Sequence, residues 1–154
     1  MHGTATDRDP EGEETMDRLV KDVMSAEVAT VLPETSLAEV AQLMRDQDIG
    51  EVVVASDDFV VGVITDRDIT VRAVADGADP LALSAGSVCT PNPVVIGPYQ
   101  PAGQAVALMR QYAVRRLPVV LEDRAVGVVS LGDLALERDP HSALADISRA
   151  APDR

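Results

Sequence analysis

The sequence predicts a mixed α/β (α+β) fold built from two strand-helix-strand-strand-helix repeats related by pseudo-two-fold symmetry. Three observations carry this. The stretch "GVITDRDI" at Gly62 to Ile69 returns as "GVVSLGDL" at Gly127 to Leu134, 65 residues on, and Val23 to Ile69 overlays Val88 to Leu134 without a gap. The 154 residues are 46% hydrophobic but only 2% aromatic, so the core must be Val, Ile, Leu, Ala and Met, an aliphatic mix that suits buried strands under helices. Each repeat also carries two apolar runs separated by a pair of acidic residues, the pattern of a hairpin. A single repeat has too few elements to cover both faces of its own sheet, so the copies are expected to pair, with the function where they meet.

The elements follow in order. Residues 1–14 are polar, acidic and aperiodic, the composition of a disordered tail. Met16, Leu19, Val20 and Val23 recur at helical spacing and predict a short turn between Thr15 and Met24. Ala29 to Leu32 is a short strand stopped by Pro33. Ser36 with Glu39 three residues on predicts a capping box and a helix whose buried stripe is Leu37, Val40, Ala41, Leu43 and Met44. Glu51 to Ala55 and Phe59 to Thr65 form a hairpin about Asp57-Asp58, followed by a helix from Asp66 to Ala75 closed by Gly77.

Residues 78–87 read as a linker, with Pro80 opening a helical turn that mirrors the one near Leu19. The second repeat gives a strand at Val94 to Ile96, a helix at Pro101 to Tyr112, a hairpin from Arg116 to Leu121 and Arg124 to Ser130, and a helix at Leu131 to Glu137. Pro140 breaks it, and a last helix is expected near Ser142 to Ile147. The domain division is a tail over 1–14, repeats over 15–77 and 88–138, and a C-terminal helix and tail over 139–154.

The formal net charge of −13 opposes general affinity for nucleic acid or an anionic membrane. With only Phe59, Tyr99 and Tyr112 as aromatics there is little for single-stranded bases to stack on. An anionic ligand must therefore be met by a local basic cluster. No apolar run reaches membrane-spanning length, and a single cysteine, Cys89, excludes an internal disulfide; both fit a cytoplasmic protein. His2 and His141 have no metal-ligand spacing and Cys89 has no catalytic partner, so no enzyme site is expected.

In each repeat a strand ends in a hydroxyl residue, Thr65 or Ser130, with an Asp three positions later, Asp68 or Asp133. The hydroxyl and the helix N–H groups can donate to a phosphate, and the carboxylate can accept from both hydroxyls of a ribose. The same spacing is that of an ordinary helix cap.

With the duplicated "VITDRD" and "VVSLGD", "RRLPVV" at Arg115 to Val120 and "DVM" at Asp22 to Met24, the chain resembles the cystathionine-β-synthase (CBS) domain family, whose members occur as tandem pairs forming a Bateman module. The resemblance covers about Asp17 to Glu137. It implies a non-enzymatic regulatory sensor that binds AMP, ADP, ATP or S-adenosylmethionine in the cleft between repeats, requires no cofactor, forms a homodimer through the helices after Thr65 and Ser130, and signals to an unidentified effector protein. Carried over residue by residue, Asp68 and Asp133 hold ribose hydroxyls and Thr65 and Ser130 approach phosphate. The backbone of Thr30 and Val31, or of Val95 and Ile96, meets adenine beside Val53 or Pro118. Arg67, Arg115 and Arg116 supply positive charge. Gly50 and Glu51 stand where the second repeat has the two arginines, and Gly132 where the first has Arg67, so one good site is expected rather than two equal ones. Cys89 replaces the family's usual Met and reads as a small buried hydrophobe.

Two other readings compete. A ligand-free module would use the paired sheets as a dimer surface. Asp66 and Asp68 after an apolar strand resemble the Asp-x-Asp-x-Thr loop of haloacid-dehalogenase-type phosphatases, but Leu131 replaces Asp66 in the second repeat and the chain is short for that fold.

Overall fold

The sheets and helices follow the repeat. In the computed structural model, which describes residues 18–138, the order is α1 (Val20–Val23), β1 (Thr30–Val31), α2 (Leu37–Gln47), β2 (Glu51–Ser56), β3 (Phe59–Thr65), α3 (Asp66–Ile69) running into a π-helical turn (Thr70–Val74), α4 (Ala85–Val88), β4 (Thr90–Pro91), α5 (Ala102–Tyr112), β5 (Arg116–Leu121), β6 (Arg124–Ser130) and α6 (Leu131–Arg138). The expected tail over 1–14 and helix near Ser142 to Ile147 lie outside the described residues.

The chain divides into two compact units, each combining parts of both repeats. One, the Asp68 unit, is Glu27–Pro93 with Val120–Val126; the other, the Asp133 unit, takes residues 18–26, Val94–Val119 and residues 127–138. In the Asp68 unit β1 pairs parallel with β2, β2 antiparallel with β3, and β3 with β4 through Gly62–Pro91 and Val63–Thr90. Phe59 of β3 pairs with Arg124, whose guanidinium lies 5.3 Å from the ring centroid. Both hairpin turns place two acidic residues at positive φ, Asp57 and Asp58 at 51° and 71° and Glu122 and Asp123 at 53° and 67°, the twist that suits a two-residue hairpin.

The core of the Asp68 unit is Leu37, Val40 and Met44 of α2, Val52 and Val54 of β2, Ile64 of β3, with Ala73, Ala85 and Val88. Burying each of the larger aliphatics is worth about 1.5 to 3 kcal/mol. The Asp133 unit buries Val20, Ile96, Ala102, Ala105, Met109, Leu117, Val119, Val129 and Leu134.

Where the expected elements differ, the cause is local. Ala41 is exposed on α2, outside the stripe. Ser36 Oγ accepts the Glu39 N–H at 3.2 Å, but Glu39 does not return the bond, so half of the capping box forms. The strand expected at Val94 to Ile96 contracts to one bridge, Ile96 to Val119, because Pro93 and Pro98 bracket the run and neither can donate. Pro80 sits in a turn closed by Leu83 N–H to Asp79 O at 3.1 Å, while the true counterpart of α1 is α4, offset by the same 65 residues as the rest of the repeat.

The helix expected from Asp66 to Ala75 is one α-turn and then a π-turn ending before Gly77, at φ +70°. Ala29 to Leu32 shortens to Thr30–Val31, and Pro101 caps α5 rather than entering it.

The segments that lead into the two repeats dock alike within their units. Leu19 bridges Pro101 and Ser25 bridges Val128 in one unit; Ser36 bridges Ser84 and Gly62 pairs with Pro91 in the other. A Cβ on Gly127 would lie 2.5 Å from Met24 Sδ and 2.7 Å from Ser25 O; one on Gly62 would lie 2.7 Å from both Cys89 Sγ and Thr90 O. Glycine opens both motifs because a second backbone crosses there.

Candidate functional site

Strand β3 delivers Thr65 in extended conformation to the start of α3, and the side chain and backbone of Thr65 and Asp68 then satisfy one another. Thr65 Oγ1 accepts the Asp68 N–H at 3.0 Å, and Asp68 Oδ2 accepts the Thr65 N–H at 2.9 Å. Strand β6 and α6 repeat this, Ser130 Oγ accepting from Asp133 N–H at 3.0 Å and Asp133 Oδ2 from Ser130 N–H at 3.0 Å. Both pairs are capping boxes, and each leaves Oδ1 of the carboxylate outside the cap.

The first helical N–H is also held. Asp66 N–H donates to Gly50 O at 2.9 Å and Leu131 N–H to Arg115 O at 2.8 Å. The second bond fastens the two-arginine start of β5 to the N-terminus of α6. Beside this joint the Asp133 unit holds a cavity of about 520 Å³, lined by Arg115, Arg116, Ser130, Leu131, Gly132, Asp133 and Leu136. Arg115 and Arg116 are exposed, and among the described residues neither forms an ion pair. Two cations beside a helix N-terminus favour an anion, in a chain of net charge −13.

Arg115, Arg116, Ser130 and Asp133 thus lie around one cavity. Val95, Ile96 and Pro118 belong to the same unit without lining the cavity: Ile96 and Pro118 are buried, Val95 is exposed, and Ile96 N–H donates to Pro118 O at 3.1 Å. Leu131, Gly132 and Leu136 also line it, although the sequence offers none of them as a ligand contact. Gly132, read only as a missing cation, adds no side chain to that wall.

In the Asp68 unit, Thr30 and Val31 lie opposite Val53 and Val54, Val53 is buried, and Thr30 and Arg67 are exposed. Asp68 is more engaged than Asp133. Its Oδ1 lies 3.7 Å from Arg72 Nε, and Arg72 Nη1 donates to Val88 O at 3.0 Å. Cys89, half-buried beside Gly62, has its thiol pushed up from the ordinary value chiefly by burial, with Arg72 acting the other way. It stays protonated at neutral pH, as a packing residue would.

No group of three or more His, Cys, Asp or Glu among the described residues is arranged to hold a metal ion. No helix among them is long and apolar enough to cross a membrane.

Comparison with known proteins agrees with this architecture. The CBS domain family matches residues 20–74 and 85–138, and the chain belongs to that family as a tandem pair. It is 38% identical over 133 residues to the CBS domain-containing protein YhcV of Bacillus subtilis, covering 84% of this chain and 94% of the relative. Among solved structures it resembles Hypoxic Response Protein I with two coordinated zinc ions, at 34% identity and TM-score 0.71 over 77% of this chain and 97% of that one. It also resembles the CBS domain pair of protein MJ0100 in complex with 5′-methylthioadenosine and S-adenosyl-L-methionine, at 26% identity and TM-score 0.69, covering 77% and 97%.

Such a CBS pair is a regulatory module, not an enzyme, and the chain matches the relatives just named along most of their length. The phosphatase reading falls with this: Asp68 Oδ2 lies in its cap and Oδ1 faces Arg72, and Asp66 Oδ1 accepts the Arg67 N–H at 2.8 Å.

Proposed function

We propose that the chain is a sensor that binds an adenosine-containing ligand at the Asp133 cavity and passes the bound state to a partner. The observation that carries this is the convergence of Arg115, Arg116, Ser130 and Asp133 on one cavity, with both arginines unpaired among the described residues. Asp133 Oδ1 accepts from ribose hydroxyls, Ser130 and the two guanidinium groups donate to phosphate, and adenine lies against the backbone of Val95 and Ile96 near Pro118. Thr65, Asp68, Arg67, Thr30, Val31 and Val53 are the corresponding residues of the other unit. The MJ0100 complex supports the adenosine class. The paired arginines favour phosphate-bearing AMP, ADP or ATP over the cationic sulfonium of S-adenosylmethionine. A cytoplasmic location, where these nucleotides are made and used, completes the reading.

Calorimetric titration of AMP, ATP and S-adenosylmethionine into the wild type and an Arg115→Ser/Arg116→Ser variant tests it. Losing hydrogen bonds to charged groups should cost about 1.5 to 3 kcal/mol, or roughly tenfold to a hundredfold in affinity for the phosphate ligands. Silence with all three ligands, in folded protein, would discard the sensor reading. A ligand-free dimer module would then remain. It is favoured by Val71 and Val74, which are 48% and 58% exposed on the π-helical turn after α3, the face where homodimerisation is expected.

A further inference from the structure

The two repeats carry the same capping box, yet their carboxylates are not equally available. Asp68 is only 13% exposed, and its second oxygen faces Arg72 four residues on, Nε to Oδ1 3.7 Å. A surface pair at that spacing is weak by itself. Here the guanidinium is also held from the other side, Nη1 donating to the Val88 carbonyl at 3.0 Å, where the chain leaves α4. Arg72 is therefore fixed between α4 and the carboxylate. An anchored cation on a largely desolvated carboxylate competes with any ligand hydroxyl for the same oxygen. The position four residues after Asp133 is Glu137, an acid that cannot form this pair. Asp133 Oδ1 has no such partner among the described residues, and Asp133 lines the open cavity.

We infer that Arg72 withdraws Asp68 from ligand binding and is the residue that makes this duplicated chain bind a single ligand, at the Asp133 unit. The inference rests on the Asp133 cavity being the ligand site, and adds which side chain silences the sister position. Arg72 is a specificity-determining residue that acts through Asp68, not a ligand contact.

The test is titration of ATP into the full chain as wild type, Asp68→Asn, Asp133→Asn, Arg72→Gln and the Asp133→Asn/Arg72→Gln double variant, each shown to be folded by circular dichroism. Asparagine keeps an oxygen to accept the Thr65 or Ser130 N–H, so the capping boxes survive. The expected results are one ATP per wild-type chain, no change with Asp68→Asn, and affinity lost by about tenfold or more with Asp133→Asn. Arg72→Gln should raise the stoichiometry toward two, and the double variant should regain binding. Two ATP per wild-type chain, or an equal loss with Asp68→Asn, overturns the role of Arg72 while leaving the nucleotide reading in place. So does a stoichiometry of one in folded Arg72→Gln. Failure of the wild type to bind ATP at all overturns both.

Discussion

Ala113 ends α5 at φ 55°, in the left-handed region, as Asp48 does at φ 54° at the end of α2. A left-handed alanine costs about 1 to 2 kcal/mol, because its Cβ crowds the following carbonyl. Glycine escapes that cost but adds about 0.5 to 1 kcal/mol of unfolded-chain entropy. The difference predicts that Ala113→Gly stabilises the fold by about 0.5 to 1 kcal/mol, read as a higher urea midpoint at unchanged slope. A lower midpoint would mean that the strain is relieved elsewhere. The end of α5 is legible from apolar spacing alone, although the usual glycine signal is missing there. At the other end of the strand-helix joint, Thr65 with Asp68 and Ser130 with Asp133 were legible as hydroxyl-carboxylate pairs. The sequence places Arg72 four residues after Asp68, but could not reveal that its guanidinium is held there by a backbone carbonyl 16 residues away.

Among the elements, the hairpins and long helices were the most legible, because Glu51 to Thr65 and Arg116 to Ser130 each hold two apolar runs about an acidic turn. The lead-in segments were not. Their short helices, Val20–Val23 and Ala85–Val88, hold too few residues to show a period, and Pro80 offered a false start five residues early. What betrays them is the glycine each one crosses. Since Ser25 O is backbone and cannot swing away, Gly127→Ala should destabilise by about 1 to 3 kcal/mol, the usual cost of overpacking. Thermal unfolding checks this, and a melting temperature unchanged from wild type would show that the crossing is looser than its geometry. Substitution at Gly77, where an added Cβ would have nothing within 4 Å, meets only the cost of its φ of +70°.

For the molecule as a whole, a cut that respects the repeats does not respect the compact units. Val20, fully buried, sits before the first repeat's strands but belongs with the second repeat's helices, where its N–H donates to Gln100 O at 2.8 Å and Ala102 N–H donates to Arg18 O at 2.6 Å. A chain starting at Glu27 should therefore lose amide protection over 94–119 while 30–65 remain protected, measured by hydrogen exchange. Equal loss in both stretches would show that the units do not unfold separately. The duplicated motif announced two repeats in the sequence, but a one-dimensional alignment has no means of showing which lead-in joins which body.

That arrangement also sets a clock during synthesis. The lead-in at 84–91 emerges after the residues it pairs with, Pro33 to Ser36 and Gly62 to Val63, so it can dock at once. The lead-in at 18–26 must wait for Pro98 to Ala102 and then for Val128. Val20 thus leaves the ribosome long before the residues that will cover it, and the growing chain carries it exposed through most of the translation of both repeats.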